Sequence, residues 1–105
     1  MTLRLLECVR EDVAEIADRL DRESDGLGSE FESDVRKAID AIELTPRLFS
    51  PTTDGPENYE TREFFIRRFA CRVIYAVQES EIVVVAAVHA RRRPGVWRKR
   101  LTTGE

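Results

Sequence analysis

The residues best suited to chemistry lie late in the chain: His89, then Arg91, Arg92 and Arg93, and, past a Pro94-Gly95 turn signal, Trp97 and Arg98. Residues 91–100 contain six cations. His89 is the only histidine, and its unperturbed pKa suits proton transfer near neutrality. Arginine in preference to lysine favours bidentate contacts with phosphate oxygens. Trp97 within such a cluster can stack on a nucleic-acid base, or can pin the segment to the body of the protein. Further upstream, Arg72 falls within a strand-like stretch and could touch the same phosphate or ligand as His89. A cation on a packed strand needs a partner, because burying it alone costs several kcal/mol. Glu63, on the neighbouring predicted strand, or a helix carboxylate could supply it.

Two strands deliver these groups. Arg72 to Val77 and Ile82 to Val88 are rich in β-branched residues, which suit a pleated and packed surface. Only Gln78, Glu79, Ser80 and Glu81 separate them, so an antiparallel hairpin is the natural connection. The unbroken apolar run of the second strand predicts cover on both faces. With Glu79 and Ser80 as a two-residue turn, Gln78 pairs with Glu81, Ile74 with Val85, Arg72 with Ala87 and Ala70 with His89. Arg72, Ala87 and His89 then share a face, with Arg72 and His89 ~7–8 Å apart as diagonal neighbours. A one-residue slip would part them.

The remaining elements form the frame. Thr2 to Cys8 reads as a first strand. From Glu11 to about Glu23, apolar residues recur at three- and four-residue steps, predicting a helix whose acidic side is solvated. Ser24, Asp25, Gly26 and Gly28 break it. Ser29 followed by Glu32 resembles a capping box opening a second helix, and Pro46 closes it. Residues 46–58 hold three of the four prolines and read as an irregular connection. Tyr59 to Ile66 is a third strand before a turn at Arg67-Arg68. The order β-α-α-β-β-β predicts an α+β fold: a two-helix hairpin packed on a mostly antiparallel sheet of about four strands, with a short basic tail.

Composition narrows the classes. A chain of 105 residues is expected to form a single domain over residues 1–105. No apolar run approaches the roughly 20 residues that span a bilayer. The opening MTLRLLECVRED lacks a signal-peptide core, so a cytoplasmic protein with no membrane partner is expected. Cys8 and Cys71 are too few for a disulfide framework, and one histidine leaves no zinc quartet. Neither a Gly-rich phosphate loop nor a nucleophile elbow is present, so no cofactor or metal is expected. The net charge of −3 conceals a balance of −8 over residues 1–58 and +5 over residues 59–105. That polarity suggests that the C-terminal half faces an anionic partner.

Arg67 to Val77 (RRFACRVIYAV), Ile82 to Pro94 (IVVVAAVHARRRP) and the late Trp97, together with the element order, resemble the RelE/ParE toxin superfamily of toxin–antitoxin and plasmid-stabilisation systems. The resemblance implies a toxin neutralised by a cognate antitoxin, with one of two targets. RelE-like members cut mRNA on the ribosome, whereas ParE-like members inhibit DNA gyrase. Arg72 matches a strand arginine that contacts the scissile phosphate in the nucleases, and Arg91 or Arg92 matches a second one. Where those nucleases carry a tyrosine base, this chain has Trp97, whose indole cannot take the proton. Glu60 falls where a basic residue is expected. A histidine variant of the nuclease would rest on His89, Arg72 and Arg62. The ParE-like branch fits the retained arginines and absent phenol better, with Arg72, His89, Arg91, Arg92, Arg93, Trp97 and Arg98 as target-binding residues. A third reading is a non-toxic relic that keeps only the antitoxin-binding groove.

Overall fold

The structure, a computed structural model, describes residues 1–102. Its elements are β1 (Thr2–Leu5), α1 (Glu7–Glu23), α2 (Leu27–Leu44), β2 (Ser50–Pro51), β3 (Glu60–Ile66), β4 (Cys71–Val77), β5 (Glu81–His89) and α3 (Lys99–Thr102). The five strands lie in the order β1-β5-β4-β3-β2. All neighbours are antiparallel except β1, which runs parallel to β5. The expected order is therefore present, with β2 and α3 as short additions. Every residue from Ile82 to Val88 is buried, as the continuous apolar run predicts for a strand covered on both sides.

The helical hairpin packs through Val9, Ala17 and Leu20 of α1 and Phe31, Val35, Ala38 and Ile42 of α2. These side chains join the inward face of the sheet in one apolar cluster. Burying an aliphatic or aromatic side chain there stabilises the fold by about 1.5–3 kcal/mol. Tyr75 anchors the connection after α2, since its hydroxyl donates to the Pro46 carbonyl at 2.5 Å.

Two boundaries differ from expectation. The first strand stops at Leu5, and α1 begins at Glu7 rather than Glu11, because Leu6 and Val9 belong to the helical stripe and are buried. Helix α2 begins at Leu27, so Ser29 lies inside its first turn and makes no cap. Its entry is made by Gly26, in the left-handed region at φ 87°, a conformation that costs glycine little. The orphan N–H of Gly28 then donates to Asp21 Oδ1 of α1 at 2.8 Å, a cap supplied by the preceding helix.

The hairpin β4–β5 contains the decisive departure. From the turn to Tyr75↔Val84 the register is the expected one, with the Gln78 N–H donating to the Glu81 carbonyl at 2.9 Å. It then shifts: Ile74 pairs with Ala86, Arg72 with Val88 and Cys71 with His89, leaving Val85 as an extra residue. A bulge of one residue exchanges the faces of everything beyond it. Arg72 and His89 therefore lie on opposite faces of the sheet, and their expected juxtaposition is corrected.

Two side chains occupy the outer edge of β5 at this bulge, where β1 has already ended. The Ala87 N–H donates to Asp12 Oδ2 at 3.0 Å, and Arg100 Nη1 donates to the Val85 carbonyl at 2.9 Å. Asp12 and Arg100 also bond each other, at 2.6 and 2.9 Å.

The helix entry can be tested by substitution. A Cβ on Gly28 would sit 2.5 Å from the Ala17 carbonyl oxygen of α1, which is rigid backbone. Gly28→Ala is expected to destabilise the fold by about 1–3 kcal/mol in urea unfolding, whereas Ser29→Ala stays within about 0.5 kcal/mol. The reverse ranking would restore the capping-box reading.

Candidate functional site

Because β4 runs through the centre of the sheet, a guanidinium on it must be matched by carboxylates. Arg72 projects from the face opposite the helices. It donates through Nη1 and Nη2 to the Asp54 carboxylate at 3.0 and 2.7 Å, and through Nε and Nη2 to Glu63 Oε1 at 3.1 and 2.8 Å. The Glu63 bridge is the one the sequence suggests. Asp54 is the residue it does not reveal. Two carboxylates hold the Arg72 guanidinium well above its ordinary pKa, the Asp54 hydrogen bond contributing most.

Asp54 Oδ2 also accepts the Gly95 N–H at 2.8 Å and the Trp97 Nε1–H at 3.2 Å. Trp97 is buried, at 1% exposure, and thereby pins the chain after β5 onto the outer face of the sheet. That decides between the two roles open to it: the ring is a packing anchor with its only polar atom satisfied. Further along, the Tyr59 hydroxyl donates to the Leu101 carbonyl at 3.2 Å, holding α3 to the start of β3.

On the helix side, His89 ends β5 and is half-buried. Its Nδ1 accepts the Arg91 N–H at 3.1 Å, which makes Nε2 the protonated nitrogen of the neutral ring. Arg91, Arg92 and Arg93 follow on an exposed arm, and Arg98 is exposed beyond Trp97. Between the arm, the end of β5 and α1 lies a cleft of about 420 Å³, lined in part by Asp12, Arg19, His89, Arg92 and Arg100. Arg19 is a residue missed from the sequence. Asp12, Ile16, Arg19 and Glu23 form one stripe of α1 at helical spacing, and that stripe was the available signal.

Arg62 occupies a third location. Its partner across the ladder is Tyr75, four residues from Cys71, so it lies about 13 Å along the strands from His89 and two strands across. Its Nε donates to Glu60 at 2.9 Å and its Nη1 to the Phe49 carbonyl at 2.7 Å. Glu60 also accepts Arg47 at 3.0 Å, so this carboxylate is charge-compensated rather than open. Burial pushes the Tyr75 phenol up to about 12 and the Cys71 thiol up to about 12, leaving both protonated at neutral pH. The three groups expected to act together on a phosphate, Arg62, Arg72 and His89, are thus dispersed, and two of them are held by carboxylates.

The fold is thus a helical hairpin on a sheet whose last strand leads into a basic arm. Residues 3–94 match the family model described as the ParE toxin of the type II toxin–antitoxin system parDE. The chain belongs to that family, and is the toxin component of such a system, with a cognate antitoxin as its expected protein partner. Among solved structures it resembles a chain of the chromosomal ParDE TA system from P. aeruginosa, with a TM-score of 0.62 at 13% identity, covering 85% of this chain and 95% of that one. No curated protein sequence matches it. Among the described residues, no helix is long and apolar enough to cross a membrane. Trp97, Arg98 and Arg100 lie beyond the matched segment.

The Asp54 cluster yields a pH-dependent prediction. Hydrogen bonds from Arg72, then those from Gly95 and Trp97, hold the Asp54 carboxyl well below its ordinary value of 3.8 against the opposing effect of burial. A carboxyl depressed in the folded state contributes stability that is complete above its unfolded pKa and is lost as pH falls towards the folded one. Stability should therefore drop below about pH 4, and Asp54→Asn should flatten that part of the curve. At neutral pH, Asp54→Ala should cost about 1–3 kcal/mol, since it leaves Arg72 with Glu63 alone and the Gly95 and Trp97 N–H groups without their acceptor. Trp97 is the only tryptophan, so its emission should move to the red as the tail is released. Unchanged emission in Asp54→Ala would refute the anchoring role.

Proposed function

We propose that this toxin acts on DNA gyrase in the cytoplasm by binding, without hydrolysing mRNA. The arm His89 to Arg93, with Arg98, forms the contact surface, and Arg72 and Trp97 hold that surface in place from beneath. The observation that carries this reading is the Arg72–Asp54–Glu63 cluster. A phosphodiester-cleaving site needs donors aimed at the position where charge develops, together with a group of suitable pKa within reach of the transferred proton. Here the strand arginine has both of its edges occupied, the position of the phenolic base is a buried indole, and the imidazole is on the other side of the sheet.

The exposed arginines favour association with an anionic surface. Among the described residues they make no ion pair, and they lie close together on a short arm, so they add more to encounter and orientation than to fold stability. The antitoxin is expected to neutralise the toxin by covering the same arm.

Purified toxin added to gyrase and supercoiled DNA should cause cleaved DNA–gyrase complexes to accumulate, while ribosome-bound mRNA stays intact in a translation assay. Replacing Arg91, Arg92 and Arg93 together by alanine should raise the toxin concentration needed by at least about tenfold, roughly 1.4 kcal/mol of binding, without unfolding the protein. Cleavage of mRNA that disappears with His89→Ala would establish the ribonuclease reading instead. Harmless induction in cells lacking the antitoxin would favour the relic.

A further inference from the structure

We propose that Arg19 of α1, together with His89, Arg91 and Arg92, forms a recognition site for a carboxylate on an acidic segment of a protein partner. This deepens the binding reading above and rests on it for the identity of the surface. Three adjoining cavities open around the end of β5, and Arg19 and His89 line all three, with Arg92 lining two and Arg91 one. The groups these residues present are donors: three guanidinium groups and the protonated Nε2 of His89, whose other nitrogen is engaged by the Arg91 N–H.

The guanidinium groups of this site differ from the strand and tail arginines in their ion pairing. Arg62, Arg72 and Arg100 each hold a carboxylate within 3.0 Å. Among the described residues, Arg19, Arg91 and Arg92 make no such ion pair, although Glu23 lines two of the same cavities. Donors beside a concavity that are engaged by no ion pair among the described residues can meet an incoming oxyanion, and paired guanidinium groups bind carboxylates bidentately.

The surroundings select the kind of ligand. Glu15 and Asp18 line the largest of these cavities and Glu23 the other two. They would oppose a nucleic-acid strand, whose phosphates follow one another without interruption. A polypeptide can place one carboxylate among neutral or basic neighbours, and so suits a mixed rim. The edge of β5 is closed to an added strand at the bulge, where Asp12 takes the Ala87 N–H and Arg100 the Val85 carbonyl. Recognition therefore falls to side chains rather than to main-chain pairing.

The test titrates isotope-labelled full-length toxin, observed by NMR, with a capped hexapeptide carrying one glutamate among alanine and lysine residues and, in parallel, with a single-stranded hexathymidylate. The peptide should move the resonances of Arg19, His89, Arg91 and Arg92, and Arg19→Glu should weaken it at least tenfold, with Arg19→Lys intermediate. Arg19 is exposed, so both variants should keep the wild-type unfolding midpoint. Arg19→Glu binding the peptide as tightly as wild type would overturn the proposal, as would tighter binding of the oligonucleotide at these residues. A negative gyrase assay with intact, Arg19-dependent peptide binding would overturn the gyrase target alone and support this site.

Discussion

A single carboxylate, that of Asp54, determines what the outer face of the sheet can be. A guanidinium projecting from a central strand is tolerable only where its charge and its hydrogen-bonding edges are met. Asp54 and Glu63 meet them for Arg72, and Asp54 then has lone-pair capacity left for the Gly95 N–H and the Trp97 indole N–H. One side chain from an irregular loop thereby joins β4 to the segment after β5. The same bond that makes Arg72 affordable in the sheet withdraws it from any ligand. It also sets the exit angle of the tail, because Gly95, at φ 74°, turns the chain just where its N–H meets that carboxylate. Gly95 is favoured here because that region is strained for residues with a Cβ.

The bulge at Val85 sorts the remaining groups. Hairpin register is well specified where one face is polar and the other apolar, since a slip would then expose the core. Residues Ile82 to Val88 are apolar throughout, so either register buries the same chemistry and the local sequence carries no penalty for shifting. What stabilises the shifted register is distant. Asp12 and Arg100, on opposite sides of the chain's midpoint, satisfy the two main-chain groups that the absent continuation of β1 leaves open. The turn and the first three pairs were legible, because Gln78 to Glu81 fixes them locally. The pairing of Arg72 with Val88 was not, because its cause lies in tertiary contacts.

The same division between local and distant causes runs through the site. Strand identities, the helix stripes, the stop before Pro46 and the salt bridge to Glu63 follow from periodicity and neighbouring positions, and the structure has them. Asp54 sits between Thr53 and Gly55 in a proline-rich connection, where an aspartate is so often a turn residue that its partnership with Arg72 leaves no mark. Asp21 likewise reads as one more acid on a solvated helix, yet it caps α2. Arg19 could have been found, since its stripe runs beside the apolar one, but its meeting with His89 depends on the bulge.

The charge asymmetry of the chain acquires a narrower meaning from this structure. Of the cations that give the C-terminal half its positive balance, Arg62, Arg68, Arg72 and Arg100 are each bound to a carboxylate of the chain itself. Three of those carboxylates, Asp12, Glu30 and Asp54, come from the acidic N-terminal half, so part of the polarity is internal complementarity. Among the exposed arginines that remain, Arg91, Arg92 and Arg93 cluster on the arm, with Arg19 of α1 beside them. Exposed charges beyond about 8–10 Å are largely screened at physiological salt, so this local cluster, and not the balance of either half, governs encounter. The fold uses Arg62, Arg72 and Arg100 to fix geometry, whereas among the described residues the arm's Arg91, Arg92 and Arg93 and the adjoining Arg19 make no ion pair, and solvent access removes the need for one.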